Sequence, residues 1–97
     1  MKLYSKGSLV RVSFEFRQES DDSLHDPTAV FFTWKVNDGT ATLLTYLIDA
    51  ALVKDATGQY HVDIDASAAG IYKTRAYATG TGQSAEERHF EATSNFL

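Results

Sequence analysis

The chain has 97 residues, 43% of them hydrophobic and 23% charged, with a formal net charge of −4 and no cysteine. A chain of this length supports one domain with one core, and the lack of cysteine excludes disulfides, thiolate nucleophiles and zinc–thiolate sites. Nucleic-acid binding is disfavoured because acidic and basic residues are dispersed, and only Lys73 and Arg75, with Arg88 nearby in sequence, form a local basic cluster.

The first residues, Met1–Lys6, contain no apolar run, so we expect no secretory signal and synthesis in the cytoplasm. No segment approaches the roughly 20 apolar residues that a membrane-spanning helix requires. The sequence therefore predicts one domain over residues 1–97, with short flexible tails at about 1–6 and 95–97 and no membrane partner.

The segment Val10–Arg17 alternates between apolar and polar residues, which predicts a half-buried strand with Phe14 on its inner face. The next segment, Gln18–Pro27, is rich in charged and turn-forming residues and is predicted to be a loop. Its Asp26-Pro27 dipeptide favours extended or turn backbone.

A second strand is predicted over Thr28–Val36, with Trp34 on the inner face and packed between the sheets. Phe31 falls on the opposite face. A large apolar side chain on a solvated strand face is typical of a surface that a partner covers. The alternative is that the loop around Leu24 or the N-terminal tail covers Phe31.

The tripeptide Asn37-Asp38-Gly39 tolerates positive φ angles and predicts a tight hairpin. The strand that follows is predicted over Thr40–Ile48. Its apolar residues also fit a helical stripe that continues to Leu52. Whether residues 49–56 form a helical turn or a strand stays open at this stage.

Val53-Lys54 leads into residues 55–58, which form another turn signal. Alternation then predicts strands over Tyr60–Asp65 and Ile71–Thr79, and a last strand over Arg88–Thr93 is built around Phe90. Seven short strands without strand–helix–strand spacing predict an all-β sandwich or barrel.

Several segments in order resemble small immunoglobulin-like proteins encoded among the virion genes of tailed bacteriophages. They are Val10–Phe16, Asp26–Val30, Val36–Thr40, Val53–Asp63, Ala69–Tyr72 and Ala78–Glu87. The resemblance covers about nine-tenths of the chain. It implies a seven-strand antiparallel immunoglobulin-like β-sandwich and a structural role in the virion. Tyr72 stands where such proteins often carry tryptophan, and Phe31-Phe32 is more apolar than their pattern.

Gly70-Ile71-Tyr72 is typical of a tyrosine corner, in which the phenol hydrogen-bonds backbone a few residues upstream. We therefore expect a structural role for this group and for the large core aromatics. The predicted structural residues are Phe14, Trp34, Gly70, Tyr72 and Phe90.

The remaining motifs do not support catalysis or cofactor binding. Gly80-x-Gly82-x-x-Ala85 formally matches a dinucleotide fingerprint but lacks the strand–helix–strand unit around it. The acidic loop residues Asp21, Asp22 and Asp26, beside His25, lack calcium-loop spacing. His61 and His89 are predicted on outward faces. We expect no enzyme activity, no cofactor and no metal.

The sequence thus favours a virion protein that docks on other virion proteins, with capsid decoration first and a neck or tail accessory second. Another class is a module that recognises a host-surface protein or glycan, for which Tyr4, Tyr46 and Tyr77 are the candidate aromatics. Self-association through strand edges is also open. The expected partner-binding residues are Asp21, Asp22, Leu24, His25, Phe31, Gly80, Gly82 and Gln83.

Overall fold

The computed structural model describes residues 2–18, 21, 23–80 and 84–94, and these form strands and turns without a helix. The strands are β1 (Lys2–Ser5), β2 (Leu9–Glu15), β3 (Ala29–Val36), β4 (Thr42–Thr45), β5 (Leu52–Ala56), β6 (Gln59–Asp65), β7 (Gly70–Thr79) and β8 (Ser84–Thr93). The predicted all-β class is therefore confirmed.

Two sheets form the fold. A five-stranded sheet has the order β1-β8-β7-β3-β4, and a three-stranded sheet has the order β2-β6-β5. Each neighbouring pair is antiparallel except β1 and β8, which are parallel. Alternation along β2 and β7 sends every second side chain into the space between the sheets, as the period of two predicts.

Aromatic rings fill much of the core. Phe14 stacks on Phe32 and Tyr60 with centroid distances of 5.6 and 6.0 Å, and Tyr72 stacks on Phe90 at 4.9 Å. Each such pair contributes about 0.5–1.5 kcal/mol beyond the area that it buries. The predicted structural roles of Phe14, Tyr72 and Phe90 agree with this packing, since all three are buried.

The tyrosine at the start of β7 makes the expected upstream contact. The Tyr72 hydroxyl donates to the Ala68 carbonyl at 2.8 Å and accepts from the Ala68 N–H at 3.3 Å. Gly70 has φ of +146°, and a Cβ there would meet the Asn37 side chain. Glycine at position 70 therefore lets the β3–β4 turn pack against the beginning of β7.

The strand count and direction differ from the prediction. Seven antiparallel strands were expected, and the described residues form eight because Lys2–Ser5, expected to be a tail, pairs with Phe90–Thr93 in parallel. β1 has no signal of its own, and its Tyr4 ring packs edge-on against Phe90 at 5.4 Å. Long-range packing therefore orders this strand.

Other boundaries also shift. β8 begins at Ser84 rather than at Arg88, since the hairpin extends the pairing to Ala78 and Ser84. Trp34 is half-buried instead of lying fully between the sheets, and it stacks on Tyr72 at 5.9 Å. The predicted hairpin at Asn37-Asp38 is confirmed, with φ of 51° and 59° at the two residues.

The strand predicted over Thr40–Ile48 ends early, at Thr45. The N–H groups of Ile48 and Asp49 both donate to the Thr45 carbonyl, and the Asp49 carboxylate accepts the Thr45 N–H at 2.8 Å. These bonds close a turn, so the chain leaves the sheet. Within 49–56, residues up to Ala51 belong to this turn region and β5 follows from Leu52.

Candidate protein-binding surface

The loop between β2 and β3 carries four of the predicted partner-binding residues. Asp21 accepts hydrogen bonds from the Ser23 hydroxyl at 2.7 Å and the Ser23 N–H at 3.0 Å, which lower the pKa of its carboxyl. Leu24 forms an isolated bridge with Arg17, and the His25 N–H donates to Phe16. Asp22 lies outside the described residues. The loop is therefore folded back on the end of β2.

Asp26 fastens this loop to the β5–β6 hairpin. Its carboxylate accepts from the Lys54 ammonium at 2.8 Å and the Gly58 N–H at 2.7 Å, and these bonds lower the pKa of Asp26. The Tyr60 hydroxyl approaches the same carboxylate at 3.4 Å, and burial raises the pKa of Tyr60 to about 12. Asp26 is thus a structural anchor, separate in role from Asp21.

The β7–β8 hairpin contains the other predicted loop contacts. Gly80 ends β7 with φ of +81°, and a Cβ there would meet the Thr28 side chain, so this hairpin lies against the start of β3. Gly82 and Gln83 lie outside the described residues. The segment joins two antiparallel strands, which is not the strand-to-helix turn of a dinucleotide site.

Phe31 lies on the outer face of the five-stranded sheet, as predicted, but it is half-buried. Its ring stacks on the Tyr77 ring at 5.1 Å, and Arg75 lies 5.5 Å above Tyr77. The Tyr77 ring of the neighbouring strand therefore covers part of Phe31. Phe31 and Tyr77 together form a flat aromatic area on this face.

Three exposed apolar side chains on β4 and the turn after it were not among the predicted contacts. Leu43, Leu47 and Ile48, which we call the apolar edge, are 55%, 86% and 79% exposed. Leu47 also has φ of +74°, a left-handed conformation that costs a residue with a Cβ about 1–2 kcal/mol. In the sequence, the adjacent apolar pairs Leu43-Leu44 and Leu47-Ile48 indicated an apolar surface at this position. The prediction of one long strand over Thr40–Ile48 treated them as strand residues and so missed their exposure.

The backbone of this edge is partly blocked. β4 is the outermost strand, yet both the N–H and the carbonyl of Thr45 are bonded within the turn that Asp49 closes. An incoming strand would find few free groups there, which limits edge-to-edge pairing. The apolar edge therefore offers side chains, rather than a backbone ladder, to a partner.

The outer face of the three-stranded sheet has the opposite character. Arg11 and Asp63 face each other across β2 and β6 in a bidentate pair at 2.9 and 3.1 Å, which lowers the pKa of Asp63 and raises that of Arg11. His61 lies on this outer face, as predicted, but it is buried and bonds both Asp55 oxygens at 2.8 Å through Nδ1. Arg11, Asp63 and His61 therefore all have side-chain partners within the chain.

The predicted basic cluster separates in the structure. Lys73 and Arg75 share the outer face of β7, but Arg88 has the opposite orientation on β8 and donates to the Ser13 carbonyl of the other sheet at 2.8 Å. In the part of the chain that the structure describes, no three histidine or acidic side chains are grouped as metal ligands. The same residues contain no helix that could cross a membrane.

Comparison with known proteins gives no relative. No family model matches the chain, and neither the curated proteins nor the solved structures contain a match.

Proposed function

We propose that this chain is a non-enzymatic, immunoglobulin-like sandwich that serves as an accessory protein of a tailed-phage virion, with capsid decoration as its first role. The strand order in the two sheets, the parallel β1–β8 pair and the Tyr72 corner support the immunoglobulin-like assignment. The resemblance of the ordered segments to virion-encoded sandwiches supports the biological setting. Synthesis takes place in the bacterial cytoplasm before incorporation into the particle.

The apolar edge is the observation that carries the binding role. Exposed apolar residues scattered singly are ordinary. Leu47 and Ile48, however, are adjacent and strongly exposed in the turn that follows β4, the edge strand that carries Leu43. Leu47 also occupies backbone that glycine or asparagine would adopt more easily. The presence of leucine in this backbone conformation supports a role for its side chain in contact with a partner.

In the proposed mechanism, the rigid sandwich presents side chains that complement the surface of a virion partner. The apolar edge lies beside the end of the sandwich where the β2–β3 loop and the β7–β8 hairpin also meet, since β3 starts and both β4 and β7 end there. Many copies on one particle convert weak single contacts into stable coverage, because a tethered neighbour binds at high effective concentration. The partners are the major capsid protein or proteins of the neck and tail.

The second candidate function is recognition of a host-surface molecule. The positions of the candidate aromatic residues disfavour a glycan as that molecule. Tyr4 and Tyr46 are half-buried against Phe90 and Tyr60, and Tyr77 stacks on Phe31. A sugar platform requires an aromatic face open to the ligand. Within this second candidate function, the exposed apolar edge favours recognition of a host protein.

Quantitative mass spectrometry of purified particles tests the proposal. We expect the protein in particles at a copy number that matches the capsid lattice; a number matching the neck or tail symmetry would favour the accessory alternative. The double variant Leu47→Asp, Ile48→Asp should be lost from particles. The control Leu9→Asp changes a leucine that is 70% exposed on β2 and should be retained. Absence of the unmodified protein from particles would refute the virion role.

A further inference from the structure

Three basic side chains face one another across the middle of the five-stranded sheet. The register places Lys35 on β3 opposite Lys73 on β7, and Lys73 opposite His89 on β8. All three point to the outer face, where they border a shallow depression of about 860 Å³. We call Lys35, Lys73 and His89 the basic row.

The protein neutralises this row only in part. The Asp38 carboxylate lies 2.9 Å from the Lys73 ammonium and 3.8 Å from the Lys35 ammonium, so one carboxylate pairs with two cations. Both lysines lower the pKa of Asp38, and Lys73 has the larger effect. Like charges directly opposite each other in a sheet are destabilising. Arg75, one row further, already has Glu87 at 2.8 Å.

Other facing charged residues in this molecule have opposite signs. Arg11 faces Asp63 on the three-stranded sheet, and Arg75 faces Glu87 on the five-stranded sheet. The facing lysines of the basic row therefore differ from both of these pairs. Such departures from local consistency concentrate at sites that act on a partner.

We infer that the basic row binds carboxylates presented by a partner protein, so that the docking surface combines this row with the apolar edge. This inference rests on the proposed function and specifies the chemistry of the partner. Ile71 lies two residues before Lys73 on the same face of β7, and Leu43 lies opposite Thr33, two residues before Lys35 on β3; both are exposed apolar residues. A partner surface of matching character carries a few acidic side chains next to apolar ones.

Nucleic acid fits this face less well than an acidic protein. Glu87 and Glu91 lie on the same outer face of β8 as His89, and they would repel a continuous line of phosphates. The whole chain also carries a net charge of −4. A small number of discrete carboxylates can reach the row between these acids.

Titration with hexaglutamate, monitored by amide chemical shifts at low ionic strength, tests the inference. We expect the largest shifts at Lys35, Lys73 and His89, and about fivefold weaker binding by the double variant Lys35→Gln, Lys73→Gln. The variant Lys6→Gln, on the exposed β1–β2 turn, is the matched control and should bind like the unmodified protein. Inorganic phosphate and a short DNA duplex are the competing probes.

Several results would overturn the inference. These are equal binding by the double variant, shifts spread over all lysines, or binding of phosphate or DNA at the row as tight as that of hexaglutamate. Thermal melting checks that the variants are folded. If the double variant unfolds, the single variant Lys35→Gln replaces it in the titration. We expect the melting midpoint of Lys35→Gln not to fall, because the substitution removes the repulsion between Lys35 and Lys73. The peptide assay needs no particle, so its failure is distinguishable from failure of the virion role.

Discussion

At the scale of single residues, Leu47 combines two features that rarely occur together. It has a left-handed backbone, which its Cβ disfavours, and its side chain is 86% exposed, so packing provides no compensation within the described chain. The turn geometry is imposed by the hydrogen bonds of Thr45 with Ile48 and Asp49. The sequence choice at position 47 is therefore unfavourable for the isolated fold.

Replacing Leu47 by asparagine should stabilise the isolated protein. Asparagine tolerates left-handed backbone, so we expect the free energy of unfolding to rise by about 1 kcal/mol. Urea unfolding followed by circular dichroism measures the change. Leu43→Asn is the control, because Leu43 lies in regular strand and gains nothing from the substitution. A less stable Leu47→Asn variant would contradict the strain argument.

At the scale of elements, the β5–β6 hairpin is held by close backbone contact as well as by Asp26. Gly58 has φ of +68°, and a Cβ at this position would lie 2.7 Å from the Phe16 carbonyl oxygen and 2.8 Å from backbone atoms of His25. Neither neighbour is a flexible side chain. The hairpin and the β2–β3 loop therefore form one packed unit at this end of the sandwich.

The Gly58→Ala substitution should strongly destabilise that unit. We expect a loss of about 2–4 kcal/mol, because backbone must move in addition to the cost of the positive φ. Gly7→Ala is a matched control, since Gly7 has φ of +94° but nothing within 4 Å of the added Cβ. Thermal unfolding of both variants compares the two costs. Equal losses would show that backbone conformation alone matters at Gly58.

At the scale of the whole molecule, ion pairs and hydrogen bonds lower the pKa of carboxyl groups in the β2–β3 loop, in the β3–β4 turn and on β6. The groups are Asp21, Asp26, Asp38 and Asp63. A lowered pKa in the folded state contributes stability above the unfolded pKa of about 3.9, and this stability is lost as the pH falls through the folded value. Acid should therefore weaken the fold.

The Asp26→Asn variant isolates one part of this acid dependence. We expect it to be about 1 kcal/mol less stable at neutral pH, a value limited by solvent screening of the half-open site. Its stability should also decline less steeply below about pH 4, so that the two proteins converge in acid. Urea midpoints across this range provide the measurement. Asp65→Asn, an exposed carboxylate with no ion pair among the described residues, should follow the unmodified protein.

The two outer faces differ in their charged and apolar residues. The three-stranded sheet has the facing Arg11–Asp63 pair and the exposed Leu9, whereas the five-stranded sheet has the basic row and borders the apolar edge. The alternation of β3 predicts the correct face for Phe31, whereas most of the predicted contacts lie in loops. Those residues proved to be bonded locally, as with Asp21, or to lie outside the described residues, as with Gly82.

Local signals accounted for the all-β class, for the alternation of β2, β6 and β7, and for the turn at Asn37-Asp38, because side-chain period and turn chemistry are properties of neighbouring residues. The tertiary structure alone decided the rest. β1 is ordered by β8, β4 ends where Asp49 binds Thr45, and the basic row exists only when three strands pair in one register. These features depend on residues distant in sequence, and no local pattern encodes which strand will lie opposite which.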